Sequence, residues 1–147
     1  MSGAVDDAGQ ALVIAVLGIG IAAAAIVGLR EAQERVLADA HSRRAGEAAV
    51  EAAGAVLADA QVALLSGLRD DRGLHRVVAR RADITALVAD PAVAAAALGA
   101  AQELATLNRA GPPTDLVIRD AGAALEVTLT LDRRPQRVSI GAACCRP

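Results

Sequence analysis

From Ala11 to Leu29 the chain reads ALVIAVLGIGIAAAAIVGL, with no charged or polar side chain. At ~1.5 Å rise per residue this stretch covers roughly 28 Å as a helix, close to the ~30 Å hydrocarbon thickness of a bilayer. Lipid offers no partner to backbone N–H and C=O groups, so a lone spanning segment must be helical. The pattern predicts one transmembrane helix over 11–29, behind a short polar leader over 1–10. That leader, MSGAVDDAGQ, lacks the basic start of a secretory signal, so the segment is expected to stay in the mature protein.

From Arg30 the helical pattern continues while the chemistry turns aqueous. Glu31 with Arg35 and Asp39 with Arg43 stand four residues apart in the favourable acid-first order. An alanine-rich extension is predicted over 30–67, with Val36, Leu37, Ala40, Ala48, Ala52, Ala55, Val56, Asp59 and Val62 as its apolar strip. Gly46 and Gly54 each weaken a helix by ~1 kcal/mol relative to Ala, and are expected to mark close contact with another helix. The helix should end near Ser66 or Gly67. A loop and short helical region, 68–90, follows. Asp90-Pro91 then offers an N-cap with proline at the first helical position, opening a helix over 91–108 that Arg109 to Pro113, RAGPP, brings to a stop.

Beyond that boundary the period changes to two. Leu125, Val127, Leu129 and Leu131 alternate with Glu126, Thr128 and Thr130, the signature of a strand with one buried face. Shorter β-type runs at Leu116 to Ile118 and Val138 to Ala142 are separated from it by Asp120-Ala121-Gly122 and by Asp132 to Pro135, so 114–147 is expected to form a small three-stranded antiparallel meander. Its apolar face needs a cover, and the alanine strips of the preceding helices supply one. The predicted fold class is α+β and membrane-anchored.

Composition narrows the function. The 147 residues contain no Phe, Tyr or Trp, and all 15 basic residues are arginine. Without aromatics there is nothing for a base to stack on, and a net charge of -2 with scattered acids makes no broad basic face, so nucleic acid is not an expected partner. A core short of large side chains points to support from partners or self-association. His41 and His75 stand apart with no second ligand at helical spacing, so no metal or other cofactor is expected. Asp70 and Asp71 lie in a turn, Ser66 has no nucleophile-elbow context, and Gly18-Ile19-Gly20 lies inside the apolar run with no preceding strand. The chain is therefore expected to be non-enzymatic. Gly20, Ala24 and Gly28 recur every fourth residue and form a candidate helix-packing face. Cys144 and Cys145 are adjacent, and a bond between them would be strained. In an extended end their thiols point to opposite faces, so they are candidates for intermolecular pairing as well as for two inert thiols.

The order of parts resembles the TadE-like and TadG-like proteins, minor pseudopilin-type components of tight-adherence (Flp) pilus assembly. The likeness rests on Gly9 to Val13, GQALV, on HSRRAGEAAVEAAGAVLA from His41 to Ala58, and on AAQELATLN from Ala100 to Asn108 followed by the alternating strand. It implies an envelope-anchored bacterial protein of the cytoplasmic membrane, single-pass, with its C-terminal part outside. Its implied partners are the lipid bilayer, other pilin-like or secretion-apparatus proteins and further copies of itself. The resemblance also implies leader cleavage between Gly9 and Gln10, with an acid at the fifth mature position. Ile14 stands there instead, and Asp6 and Asp7 replace a basic leader, so an uncleaved accessory component is expected. Arg30, Arg35, Arg43 and Arg44 follow the anchor and no arginine precedes it. By the positive-inside tendency this favours an alternative, a single-pass adaptor whose coiled-coil-like helix meets a soluble cytoplasmic partner.

Overall fold

The computed structural model describes residues 3–76 and 78–142, with side-chain surroundings from residue 9 onward. Six elements follow one another: α1 (Gly3–Gly67), α2 (Arg81–Val88), α3 (Pro91–Leu107), β1 (Thr114–Asp120), β2 (Ala124–Leu131) and β3 (Arg134–Gly141). The architecture is α+β, helices and one three-stranded antiparallel sheet in the order β1-β2-β3. The chain divides into two units, 1–40 and 41–147.

The first unit is helix throughout its described length. Helix begins at Gly3, so the separate polar leader expected over 1–10 is drawn into α1 from that residue. Every residue from Gly9 to Ala40 is exposed, including Leu12, Ile14, Ile19, Ile26 and Leu29. Val36 and Leu37, assigned above to the apolar strip, are exposed as well.

The second unit holds the core. On β2 the burial alternates strictly, with Leu125, Val127, Leu129 and Leu131 inward. Leu116 and Ile118 of β1 and Val138 and Ile140 of β3 flank them on the same face. Alanine covers this face: Ala45, Ala49 and Ala53 from α1, and Ala97, Ala101 and Ala105 from α3, are all buried. Small side chains let the helices lie close to the sheet, and leucine supplies most of the buried area. Leu57 is the one leucine of α1 that is fully enclosed.

The buried strip of α1 is therefore Ala45, Gly46, Ala49, Val50, Ala53, Gly54, Leu57 and Gln61. The strip expected from Ala48, Ala52, Ala55, Val56, Asp59 and Val62 is rotated from it: Ala55, Asp59 and Val62 are exposed, and Ala48, Ala52 and Val56 are only half-buried. Alanines occur on both strips, so hydropathy does not separate them. The close approach of β3 does. A Cβ on Gly54 would lie 2.9 Å from Val138 Cγ1, and one on Gly46 2.8 Å from Gln136 Cγ, so these glycines meet an edge strand and not the second helix expected from the sequence.

Capping follows the sequence. Asp90 Oδ1 accepts the Ala92 N–H at 2.8 Å and Pro91 opens α3, while Asn108 closes it, its side-chain amide donating to the Leu104 carbonyl. Asp83 in the first turn of α2 accepts the Arg80 N–H at 2.7 Å. We expect Asp90→Ala to lower the unfolding free energy by about 1 kcal/mol, read by denaturant titration of the far-UV circular dichroism.

The strands are longer than the sequence pattern gives. β1 gains Thr114 and Asp115 ahead of an irregularity in its register, and β3 begins at Arg134 rather than Val138. The residues read as a four-residue separator, Asp132 to Pro135, contain a two-residue turn. Asp132 and Arg133 adopt φ of 49° and 65°, and Arg134 and Pro135 already pair with β2. Proline is tolerated because β3 is an edge strand.

Candidate functional site

Among the described residues the side chains that carry chemistry are dispersed. His41 and His75 are exposed, and no group of three or more His, Cys, Asp or Glu is placed to hold a metal ion. Asp70 does local work, its Oδ1 accepting the N–H groups of Arg72 and Leu74 at 2.9 and 2.8 Å across the loop after α1. Asp71 beside it is exposed. Ser66 donates to the Ala63 carbonyl within its own helix.

The feature the first unit offers is its apolar surface. The stretch from Gly9 contains a window of mean hydropathy 2.8, none of it buried, on a helix long and apolar enough to cross a membrane. The bent pair α2 and α3 also meets a length and composition test, with 56° between its helices. Those two helices bury Ile84, Ala97, Ala101 and Ala105 against the sheet, so they belong to the core of the second unit.

Gly20 and Ala24 lie in a shallow groove bordered by Leu12, Val13, Val16, Leu17 and Ile21. No atom outside the helix lies within 4 Å of where a Cβ on Gly18, Gly20 or Gly28 would stand. The face named from the sequence, Gly20, Ala24 and Gly28, is thus open along its length. A second groove, lined by Leu29, Ala32, Gln33, Val36 and Leu37, lies further along the helix. Gly9 and Gln10 are exposed residues within α1, in helical rather than extended backbone. Cys144 and Cys145 lie outside the described residues.

On the second unit the outer face of the sheet is polar. Arg119, Glu126 and Ser139 pair across the three strands, as do Val117, Thr128 and Arg137. Arg137 and Glu126 approach to 3.8 Å. At the side of α2, Arg81 Nε meets Asp120 Oδ2 at 2.8 Å. A corner that sequence reasoning did not anticipate forms around the first residues of this unit. His41 Nε2 lies 2.7 Å from the Asn108 carbonyl oxygen, and Ser42 Oγ donates to Asp132 Oδ2 at 2.8 Å. These two contacts bring together the start of the unit, the end of α3 and the β2–β3 turn. No local spacing could reveal it, because the partners lie 67 and 90 residues apart.

Comparison of the chain with protein-family models, with curated proteins and with solved structures finds no match to any of them. The class that sequence and fold define is thus a coarse one: an α+β chain with a single long apolar N-terminal helix compatible with one membrane crossing.

Proposed function

We propose that this chain is a non-enzymatic, envelope-anchored, pseudopilin-like component of a Flp/Tad-type pilus or secretion apparatus, acting through helix–helix packing. The observation that carries the reading is the long apolar helix surface of the first unit, exposed on every side. In water such a surface costs roughly 25 cal/mol for each Å² of apolar area, and lipid or another apolar helix relieves that cost. The open strip of Gly20, Ala24 and Gly28 supports close approach of a second helix, since small residues allow backbones to come near in lipid. The order of parts, anchor, alanine-rich helix and a small β-rich head, supports the TadE-like and TadG-like kinship on which the assembly role rests. In this reading the anchor lies in the bacterial cytoplasmic membrane and the sheet is outside. Its partners are other pilin-like helices or further copies of the chain.

A second reading, a membrane adaptor facing the cytoplasm, is favoured by the arginines at 30, 35, 43 and 44, with none before the anchor. A membrane-impermeant maleimide applied to intact cells separates the two through Cys144 and Cys145, with reduced, permeabilised cells as the control. We expect labelling in intact cells, and retention of the chain in the membrane fraction after alkaline extraction. Labelling confined to permeabilised cells would reverse the orientation and leave the adaptor. Release by alkaline extraction would overturn the anchor itself.

A further inference from the structure

The charges of α1 between Leu29 and Ala40 are not spread evenly round the helix. Arg30, Glu31, Glu34, Arg35 and Asp39 leave one side uncharged, along Leu29, Gln33, Val36 and Ala40, which are spaced alternately by four and three residues. That spacing is the seven-residue repeat of a coiled-coil seam, with Gln33 and Ala40 at position a and Leu29 and Val36 at position d. Carried back through the apolar run, the same repeat selects Ile26, Ala22, Ile19, Ala15 and Leu12. Glu31 and Arg35, which pair at 3.5 Å, fall at f and c on the outer side. The next d position is Arg43, so the seam ends where the second unit begins.

The structure gives this seam a shape. The groove lined by Leu29, Ala32, Gln33, Val36 and Leu37 occupies positions d, g, a, d and e, and its first four residues are the set that forms a hole for a knob at position a of a facing helix. Leu29 and Val36 are 61% and 68% exposed, so the hole is unfilled by the chain itself. The groove around Gly20 and Ala24 lies on the opposite side, since Gly20, Ala24 and Gly28 fall at b, f and c. The helix therefore carries two separate faces, one with a large-residue seam and one with a small-residue strip.

We infer that α1 pairs with α1 of a second copy of this chain, parallel and in register along the seam, leaving Gly20, Ala24 and Gly28 on the outside of the pair. The inference rests on the membrane anchoring proposed above and names the occupant of one helix face. Copies inserted with one topology are parallel, and a shared crossing over 11–29 holds them at one depth, so the seam meets itself without offset. Gln33 then faces Gln33 of the second copy. An amide both donates and accepts, so the two glutamines satisfy each other, which an apolar helix would not do. A single polar a position also fixes register, and Ile26 at a with Leu29 at d favours two strands. Charge agrees with this arrangement: parallel pairing sets each g position against the following e position, and so Asp39 against Arg44 of the second copy.

The full-length chain, with Cys144 and Cys145 replaced by serine, tests this through single cysteines introduced in turn from Leu29 to Ala40 and at Gly20, Ala24 and Gly28. Each variant is oxidised with copper phenanthroline in native membranes, and the fraction of covalent dimer is read. Linkage is expected to peak for L29C, Q33C, V36C and A40C and to be several-fold lower for E31C, E34C and A38C. Val36→Glu places two carboxylates in the seam at a position exposed in the single chain, so folding is retained, and should cut Q33C linkage by more than about tenfold. Ala38→Glu, at position f, should leave it unchanged. Equal linkage round the helix would overturn the inference, and a peak at G20C, A24C and G28C would do so by moving the second copy to the small-residue strip. Linkage only to a product of another mass would give the seam to a different protein and overturn it as well. No linkage at any position, with the chain retained after alkaline extraction, would overturn the pairing and leave the anchoring intact, whereas release by alkaline extraction would overturn both.

Discussion

Gly54→Leu is expected to cost about 3 kcal/mol and to loosen α1 from the sheet. A Cβ at this position already falls 2.9 Å from Val138 Cγ1 and 3.5 Å from Ile140 Cδ1, so even the first added carbon requires movement. The three further carbons of leucine would have to displace the edge strand or push the helix outward, and overpacking of this kind typically costs 1–3 kcal/mol, occasionally more. The intrinsic preference of leucine over glycine in a helix returns at most ~1 kcal/mol, which does not offset it. Gly99 on α3 supplies the contrast. Nothing lies within 4 Å of its added Cβ, so Gly99→Ala should raise stability by about 0.5–1 kcal/mol. The chain has no aromatic residue, so both variants are followed by far-UV circular dichroism in denaturant rather than by intrinsic fluorescence. An unchanged midpoint for Gly54→Leu would mean that α1 does not approach β3 as closely as described.

Leu57→Ala is expected to cost about 3 kcal/mol. Leu57 is fully enclosed, in a helix whose other buried positions are mostly alanine or glycine, so its side chain supplies a large share of what α1 contributes to the core. Leucine-to-alanine changes at enclosed sites cost 2–5 kcal/mol, and the total stability of a domain is commonly only ~5–15 kcal/mol. A core without aromatics has few large side chains able to fill the resulting cavity. The substitution should shift the denaturation midpoint sharply and speed hydrogen exchange in Ala45 to Gln61. An effect below about 1 kcal/mol would show that the helix face is held mainly by its alanines.

The parts of this fold that were legible in the sequence are those where residue type and period are distinctive. The alternation through Leu125 to Leu131 located the central strand almost to the residue, and Asp90-Pro91 located the start of α3, because one capping carboxylate and one fixed φ suffice there. The end of α1 at Gly67 was similarly marked. The buried face of α1 was not, because alanines on neighbouring strips carry the same hydropathy. What decides between them is the pair Gly46 and Gly54 beneath Gln136 and Val138, a contact between distant segments. The start of β3 was hidden by Pro135, which reads as a breaker until its place on a sheet edge is known. The corner at His41 and Ser42 was hidden too, because it depends on hydrogen bonds spanning 67 and 90 residues.

Those long spans also order events during synthesis. Ser42 leaves the ribosome 90 residues ahead of Asp132, a delay of about 5 to 20 s at ~5–20 residues per second. For that interval the docking strip of α1 exists with no sheet to cover it. Its alanines then have a further merit: a half-made helix that displays alanine and a single enclosed leucine is less adhesive to other nascent chains than one studded with large apolar groups. A core too sparse to hold itself tightly is also one that can wait, uncovered, for its last strand.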